Sequence, residues 1–168
     1  MCTKKEDAAC FHVKNFILKR GAFREDQTLH MGFSNHCCKR DDTFHLFLDC
    51  DDTKLSKVFD GIESLRMKFK ELSREKFLII NTSLNRFSLA CFANLTWKRY
   101  LEVLYFAVRI GIAHDGYAFY SENKGYGVLR VGAKYGIVPT ILYSVGTNVC
   151  CKKCLRTFTT TISEIPSY

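Results

Sequence analysis

Three aspartates follow a short apolar run in the segment HLFLDCDDTKL, residues 45–55. Side chains alternate along a strand, so Asp49 and Asp51 would share one face while Asp52 would point away or begin a helix. Two neighbouring carboxylates repel each other unless a cation lies between them, and oxygen ligands of this kind suit Mg²⁺ or Mn²⁺. The pair therefore predicts a divalent-metal site for phosphoryl or nucleotidyl transfer. A solvated strand end, with Asp52 or Thr53 capping the next helix, is the alternative.

Basic residues further along the chain could meet the phosphates that such a metal would accompany. Arg130 and Lys134 lie in the segment LRVGAKYG. An arginine offers a bidentate fork and a lysine a point charge to phosphate oxygens. A solvated basic strand edge is the alternative.

Two cysteine-rich segments offer ligands for a second kind of metal. They are NHCCKR, residues 35–40, and VCCKKC, residues 149–154. A tetrahedral zinc site would take two ligands from each segment, and free or buried thiols are the alternative. The candidate ligands are Cys37, Cys38, Cys151 and Cys154.

The elements that must position the acidic pair begin with a strand at TFHLFLDCD, residues 43–51. Apolar residues at helical spacing then predict a helix of about five turns from Lys54 to Leu72. The β-type runs KFLIINTS and RFSLACFA are close enough in sequence to form an antiparallel hairpin.

A second helix is predicted in TWKRYLEVLYFAVRIG, with Thr96 as its N-cap and Gly111 as its terminator. GYAFY, the turn SENKG, YGVLRV and IVPTILYSV add further strand candidates. The resulting β-α-β-β-α-β order predicts an α+β fold with a split βαβ (ferredoxin- or RRM-like) antiparallel sheet. Helices would cover one sheet face and leave the other open for binding.

Length and charge limit the possible functions. The chain has 168 residues and is 47% hydrophobic, which suffices for a single domain with its own core. The 25 Lys+Arg against 17 Asp+Glu give a net charge of +8, which favours an anionic partner such as nucleic acid or nucleotide. The first ten residues, MCTKKEDAAC, carry both charge signs and no apolar run, and no later run is long enough for a membrane span. We therefore expect a cytoplasmic protein without membrane contact.

The order of these pieces resembles the archaeo-eukaryotic primase and primase-polymerase superfamily. The resemblance covers roughly residues 43–134 and rests on FLDCDD, NTSLNRFSLACF, HDGYAF and GYGVLRVGAKYG. It implies a primase-type core at about 43–145, between an N-terminal extension (1–42) and a cysteine-rich C-terminal segment (146–168). It also implies metal-dependent nucleotidyl transfer from nucleoside triphosphates on a nucleic-acid template, in DNA replication and with a further protein subunit as a candidate partner.

The resemblance assigns roles by position. Asp49, Asp51 and Asp115 would be the catalytic acids that bind Mg²⁺ or Mn²⁺. The nucleotide- or phosphate-binding residues would be Ser83, Ser88, Arg130 and Lys134. Ser88 stands where the family has a phosphate-contacting histidine, and a serine cannot carry positive charge. Weak activity or an inactive binding protein is therefore expected, unless a basic side chain opposite the acidic pair supplies the missing charge.

Two other functional classes fit parts of the sequence. DCDDT matches the first motif of haloacid dehalogenase-type phosphatases, in which Asp49 would be the nucleophile, Asp51 the acid/base and Mg²⁺ the cofactor. That class requires a doubly wound parallel sheet, which the predicted hairpin does not fit. A non-enzymatic nucleic-acid-binding module would need only the positive charge and an open sheet face.

Overall fold

The computed structural model describes residues 10–13, 16–20, 29–51, 53–84, 86–131 and 137–164. The strands are β1 Cys10–Val13, β2 Phe16–Arg20, β3 Leu29–Ser34, β4 His36–Cys37, β5 Arg40–Cys50, β6 Phe77–Ser83, β7 Arg86–Leu95, β8 Val128–Arg130 and β9 Thr140–Val145. The helices are α1 Leu55–Lys68, α2 Trp97–Arg109, α3 Asp115–Lys124 and α4 Lys152–Glu164. A 3-10 turn, Lys70–Leu72, follows α1. The protein therefore has the mixed α+β composition that the sequence predicts.

The strands form two antiparallel sheets. One sheet has the order β4-β5-β7-β6-β9 and the other the order β1-β2-β3-β8. Because β7 lies between β5 and β6 and is antiparallel to both, β5 and β6 run parallel to each other, with α1 in the connection between them. All pairings between the named strands are antiparallel, so the described residues do not form the doubly wound parallel sheet of the phosphatase alternative.

Local sequence accounts for the first half of the larger sheet and its two covering helices. The strand that carries the acidic pair, the hairpin β6–β7 and helix α2 are confirmed. The Thr96 side chain caps α2 by accepting a hydrogen bond from the Arg99 backbone N–H. Helix α1 differs in detail, because its N-cap is Lys54, without a side-chain hydrogen bond, and the helix ends at Lys68. Asp52, the other expected cap, lies outside the described residues.

The prediction of a strand at GYAFY and a turn at SENKG is wrong, because both belong to helix α3. Aromatic residues favour strands, but the flanking residues here favour a helix. His114 precedes α3 and its Nδ1 accepts a hydrogen bond from the Gly116 backbone N–H at 3.1 Å. Gly125 ends the helix in the left-handed conformation at φ 77°. YGVLRV does contain a strand, β8, but β8 pairs with β3 in the smaller sheet.

Both faces of the larger sheet are covered. On one face, Leu46 and Leu48 of β5 lie in a core with residues of α1 and α2. On the other face, Phe158 of α4 packs against Phe47 and Phe92 of the sheet, with ring centroids 5.9 and 5.4 Å apart. Residues of β3, β8 and α4 share this second core. The expected open sheet face is therefore wrong for the residues that the structure describes.

None of the helices in the described part of the chain combines the length and the apolar character that crossing a membrane requires.

Candidate functional site

A cleft of about 500 Å³ opens at the end of the larger sheet where β5 and β6 finish. It is lined by Asp49, Asp51, Thr82, Ser83, Arg86, Ser88, Tyr117, Val128, Leu129 and Arg130. Because β5 and β6 run parallel, their C-terminal ends meet at one edge of the sheet, and β8 closes the side of the cleft. The structure thus brings together five residues predicted from distant parts of the sequence: Asp49, Asp51, Ser83, Ser88 and Arg130.

The two carboxylates of the acidic pair lie in the same cleft, as the alternation along β5 predicts. Asp49 is directly opposite Ser88 in the pairing of β5 with β7, and Asp51 follows the last residue of the strand. The pKa of Asp49 is raised to about 6, mainly by burial and to a smaller extent by the negative charge of Asp51. Because the two carboxylates repel each other and Asp49 is partly desolvated, a positive charge nearby would stabilise their ionised forms.

Arginine side chains lie beside the pair. Arg86 Nη1 is 3.4 Å from Asp51 Oδ2, and Arg86 lies two residues before Ser88 on β7, so both side chains face the same side. Arg130 Nη2 donates a hydrogen bond to the Thr82 carbonyl at 3.0 Å, and its charge acts to lower the pKa of Asp49. Two basic side chains therefore line the cleft that contains Asp49, Asp51 and Ser88. The sequence prediction missed Arg86, although its period-2 spacing from Ser88 could have indicated it.

Asp115 is not among the described residues that line the cleft. Asp115 begins α3 with a side chain 85% exposed, and its carboxylate accepts a hydrogen bond from the Gly116 backbone N–H at 2.6 Å. Its neighbour His114 is the residue tied to the pair, because the His114 backbone N–H donates to the Asp49 carbonyl at 2.9 Å. Lys134 lies outside the described residues.

The carboxylates, hydroxyls and guanidinium groups that line the cleft limit what it could bind. Of the described residues that line it, Asp49 and Asp51 are the carboxylates, so other ligands of a bound Mg²⁺ or Mn²⁺ would be water or phosphate oxygens. The hydroxyls of Ser83 and Ser88 can donate hydrogen bonds to phosphate, and the two guanidinium groups can pair with its charge.

A second group of potential ligands includes His45, which lies four residues before Asp49 on β5. The ligand atoms of Cys37, His45, Cys151 and Cys154 all lie within 4.8 Å of one another, and all four residues are buried. This cluster could hold a metal ion. Three of the four ligands predicted from sequence belong to it, whereas His45 takes the place predicted for Cys38.

Cys38 lies beside the cluster and contacts it. Its backbone N–H donates to Cys154 Sγ at 3.2 Å, and its own Sγ is 4.0 Å from Cys151 Sγ. Burial lowers the pKa of His45 to about 4, which leaves the imidazole neutral at physiological pH. The sequence pattern does not mark His45 as a ligand, because it lies within an apolar strand, seven residues from Cys38 and eight from Cys37.

No protein-family model, curated protein or solved structure matches the chain significantly. The resemblance to primases therefore gains no support from identified relatives, and any functional proposal depends on the chemistry of the cleft and the cluster.

Proposed function

We propose that the cleft binds a nucleoside triphosphate together with Mg²⁺ or Mn²⁺, and that the protein is a primase- or polymerase-like nucleotidyltransferase. The observation that carries the proposal is the shared location of Asp49 and Asp51 with Arg86 and Arg130. A metal-bound triphosphate presents a cation and several anionic oxygens within a few ångströms. A cleft with two carboxylates beside two guanidinium groups is complementary to both.

The acidic pair has the role of holding the metal. Bound there, a divalent ion supplies charge neutralisation at the phosphates and orientation of the attacking hydroxyl. Asp49 is held by strand pairing on β5, and the His114 backbone N–H binds its carbonyl. These two contacts fix the backbone at Asp49 without a ligand.

The two arginines have different roles because their surroundings differ. The Arg86 side chain is 46% exposed, and its Nη1 is 3.4 Å from Asp51 Oδ2, which is long for a hydrogen-bonded ion pair. The ion pair is therefore weak, and Arg86 can exchange it for a phosphate. Arg130 is held by the Thr82 carbonyl and is only partly exposed. Arg86 would therefore move to meet the phosphates, and Arg130 would provide a fixed positive charge.

The remaining lining residues would complete the nucleotide site. Burial raises the pKa of Tyr117 well above its ordinary value, so its hydroxyl stays neutral. Its ring, with Val128 and Leu129, gives the cleft an apolar wall for a ribose or base. Ser83 and Ser88 would donate hydrogen bonds to phosphate oxygens.

The placement of β7 between β5 and β6 supports a split βαβ core of the primase type as the fold that carries this chemistry. Helix α3 and the pairing of β8 with β3 depart from the simple β-α-β-β-α-β order. The net charge of +8 supports nucleic acid as the second partner.

We expect slow turnover. Ser88, directly opposite Asp49, carries no positive charge. The absence of a cationic phosphate contact there would cost on the order of 2–4 kcal/mol of transition-state stabilisation, comparable to losing one oxyanion donor. Arg86 lies two residues away and offsets part of this loss.

The test is Mn²⁺-dependent incorporation of labelled nucleotide on a primed and an unprimed template. The wild-type chain should show weak incorporation that Asp49→Ala abolishes and Ser88→His increases. Asp60→Ala is the matched control, since Asp60 is an exposed acid on α1 outside the cleft, and it should leave incorporation unchanged.

Nucleotide binding separates an inactive site from a wrong assignment. Titration with a nucleoside triphosphate and Mn²⁺ should show about tenfold weaker binding for Arg86→Ala than for the wild type, the equivalent of one charge-assisted hydrogen bond. Arg74→Ala, at an exposed arginine outside the cleft, should bind like the wild type. If Asp49→Ala loses nothing, Ser88→His gains nothing and Arg86→Ala binds normally, the proposal is wrong.

A further inference from the structure

The cluster formed by Cys37, His45, Cys151 and Cys154 lies apart from the cleft and serves no role in the proposed reaction. We propose that it binds a structural zinc ion, which fastens the C-terminal helix α4 to the strands β4 and β5. The inference is independent of nucleotide binding, since none of the four residues lines the cleft.

The histidine provides the most specific evidence. His45 Nδ1 is 3.0 Å from the Ala93 carbonyl oxygen, which can only accept a hydrogen bond, so Nδ1 must carry the proton. The lone pair is then on Nε2, which is buried and makes no hydrogen bond within the described part of the chain. A fully buried acceptor without a partner is costly, and a metal ion would satisfy it. An imidazole that donates one N–H to a carbonyl and presents its other nitrogen to the metal is typical of zinc sites.

The burial, spacing and hydrogen bonding of the three cysteines also suit a metal site. Cys37, Cys151 and Cys154 are each at most 5% exposed. Cys151 immediately precedes the 13-residue helix α4 and Cys154 lies in its first turn, a CxxC spacing that is common in zinc sites. The Cys38 backbone N–H donates to Cys154 Sγ at 3.2 Å, as expected for a thiolate that also binds a metal.

The distances fit a tetrahedral ion after a small contraction. With zinc about 2.3 Å from each sulfur, ligand atoms lie about 3.8 Å apart. The four ligand atoms are within 4.8 Å of one another, so shifts of about 1 Å or less, well within side-chain adjustment, would close the site. Three soft sulfur ligands favour zinc over Mg²⁺ or Ca²⁺, which prefer oxygen.

A bound zinc ion would have a structural consequence for the cleft. His45 and Asp49 lie four residues apart on β5, so their side chains face the same side of the sheet. The ion would join this strand to α4, whose Phe158 covers Phe47 between them. Zinc would thus hold the strand that presents the acidic pair, without taking part in the reaction.

Metal analysis of the full-length chain, purified from zinc-supplemented culture, tests the proposal. We expect zinc equimolar with the wild-type chain and a loss of at least tenfold in occupancy for Cys154→Ser and His45→Ala. Cys150→Ser is the matched control, because Cys150 is the exposed neighbour of Cys151 and lies outside the cluster, and it should keep its zinc. Asp49→Ala should also keep its zinc, which separates this site from the cleft.

Two measurements on the wild-type chain guard against variants that fail to fold. Cobalt substitution should give the intense visible bands and thiolate-to-metal charge transfer of tetrahedral Co²⁺ with sulfur ligands. A strong zinc chelator should lower Tm by about 10 °C or more, since removing a ligand specific to the native state destabilises it. Re-addition of zinc should restore the original Tm.

Several results would overturn the proposal. They are a zinc-free wild type that takes up no cobalt, unchanged zinc in Cys154→Ser, and a Cys38–Cys151 disulfide found by thiol counting in the purified chain. Zinc lost in Cys38→Ser but kept in Cys37→Ser would overturn the ligand assignment.

Discussion

Replacing Asp49 by asparagine should stabilise the metal-free protein at neutral pH. Burial and the charge of Asp51 raise the pKa of Asp49 from its ordinary value of 3.8 to about 6. Between these values the folded protein holds a proton that the unfolded chain has released, so stability falls as the pH rises through this window. Above about pH 6 the Asp49 carboxyl is ionised in both the folded and the unfolded state. The folded state is then destabilised by the full free energy of burying that charge beside Asp51.

The magnitude follows from that rise in pKa. At about 1.4 kcal/mol for each tenfold change in proton affinity, the cost at pH 7 is at most about 3 kcal/mol. Asp49 keeps some contact with solvent, and the neutral amide must find its own hydrogen bonds, so we expect Asp49→Asn to gain about 1–3 kcal/mol. The gain should shrink towards zero at pH 4, where the wild-type carboxyl is protonated in the folded state.

Urea unfolding in the presence of a chelator, at pH 4 and pH 7, measures this difference. The exposed Asp60→Asn on α1 serves as the control and should change stability by less than about 0.5 kcal/mol at either pH. Saturating Mn²⁺ should then stabilise the wild type but not Asp49→Asn. A variant that is no more stable than the wild type at pH 7, or one that gains equally at both pH values, would refute the electrostatic reasoning.

Three further predictions concern packing and charge. Gly127→Ala should cost about 1–3 kcal/mol and lower Tm, because an added Cβ would overlap the Tyr100 hydroxyl and lie 2.9 Å from that of Tyr117. Phe158→Ala should cost about 3–5 kcal/mol in urea unfolding, since Phe158 is fully buried, whereas Phe119→Ala, at a side chain 68% exposed, should change little. Nucleic-acid binding, measured by fluorescence anisotropy, should weaken steeply from low to high salt as counterions compete with Lys and Arg, and salt-independent binding would contradict the charge argument.

Local sequence determined much of the secondary structure. The strand before Asp49, the hairpin that presents Ser83 and Ser88, and the Thr96-capped helix follow from patterns of a few residues. The same reasoning failed at GYAFY, where β propensity competes with a helix start at His114 and a helix stop at Gly125. Propensity averages over contexts, whereas a cap and a left-handed glycine act on one particular segment.

The sequence predicted the kinds of residue that form the candidate site, but not all of its members. The acidic pair, Ser88 and three zinc-ligand candidates are recognisable because their chemistry is visible in a short stretch of sequence. Which cation faces Asp51, which nitrogen completes the cysteine cluster and what covers the second sheet face depend on contacts between residues far apart in the chain. Arg86 lies 35 residues from Asp51, and the Cys38 amide lies 116 residues from the Cys154 sulfur that it contacts. Only the packing of strands and helices brings such groups together, because hydrophobic burial selects the arrangement of whole elements and polar side chains take the positions that result.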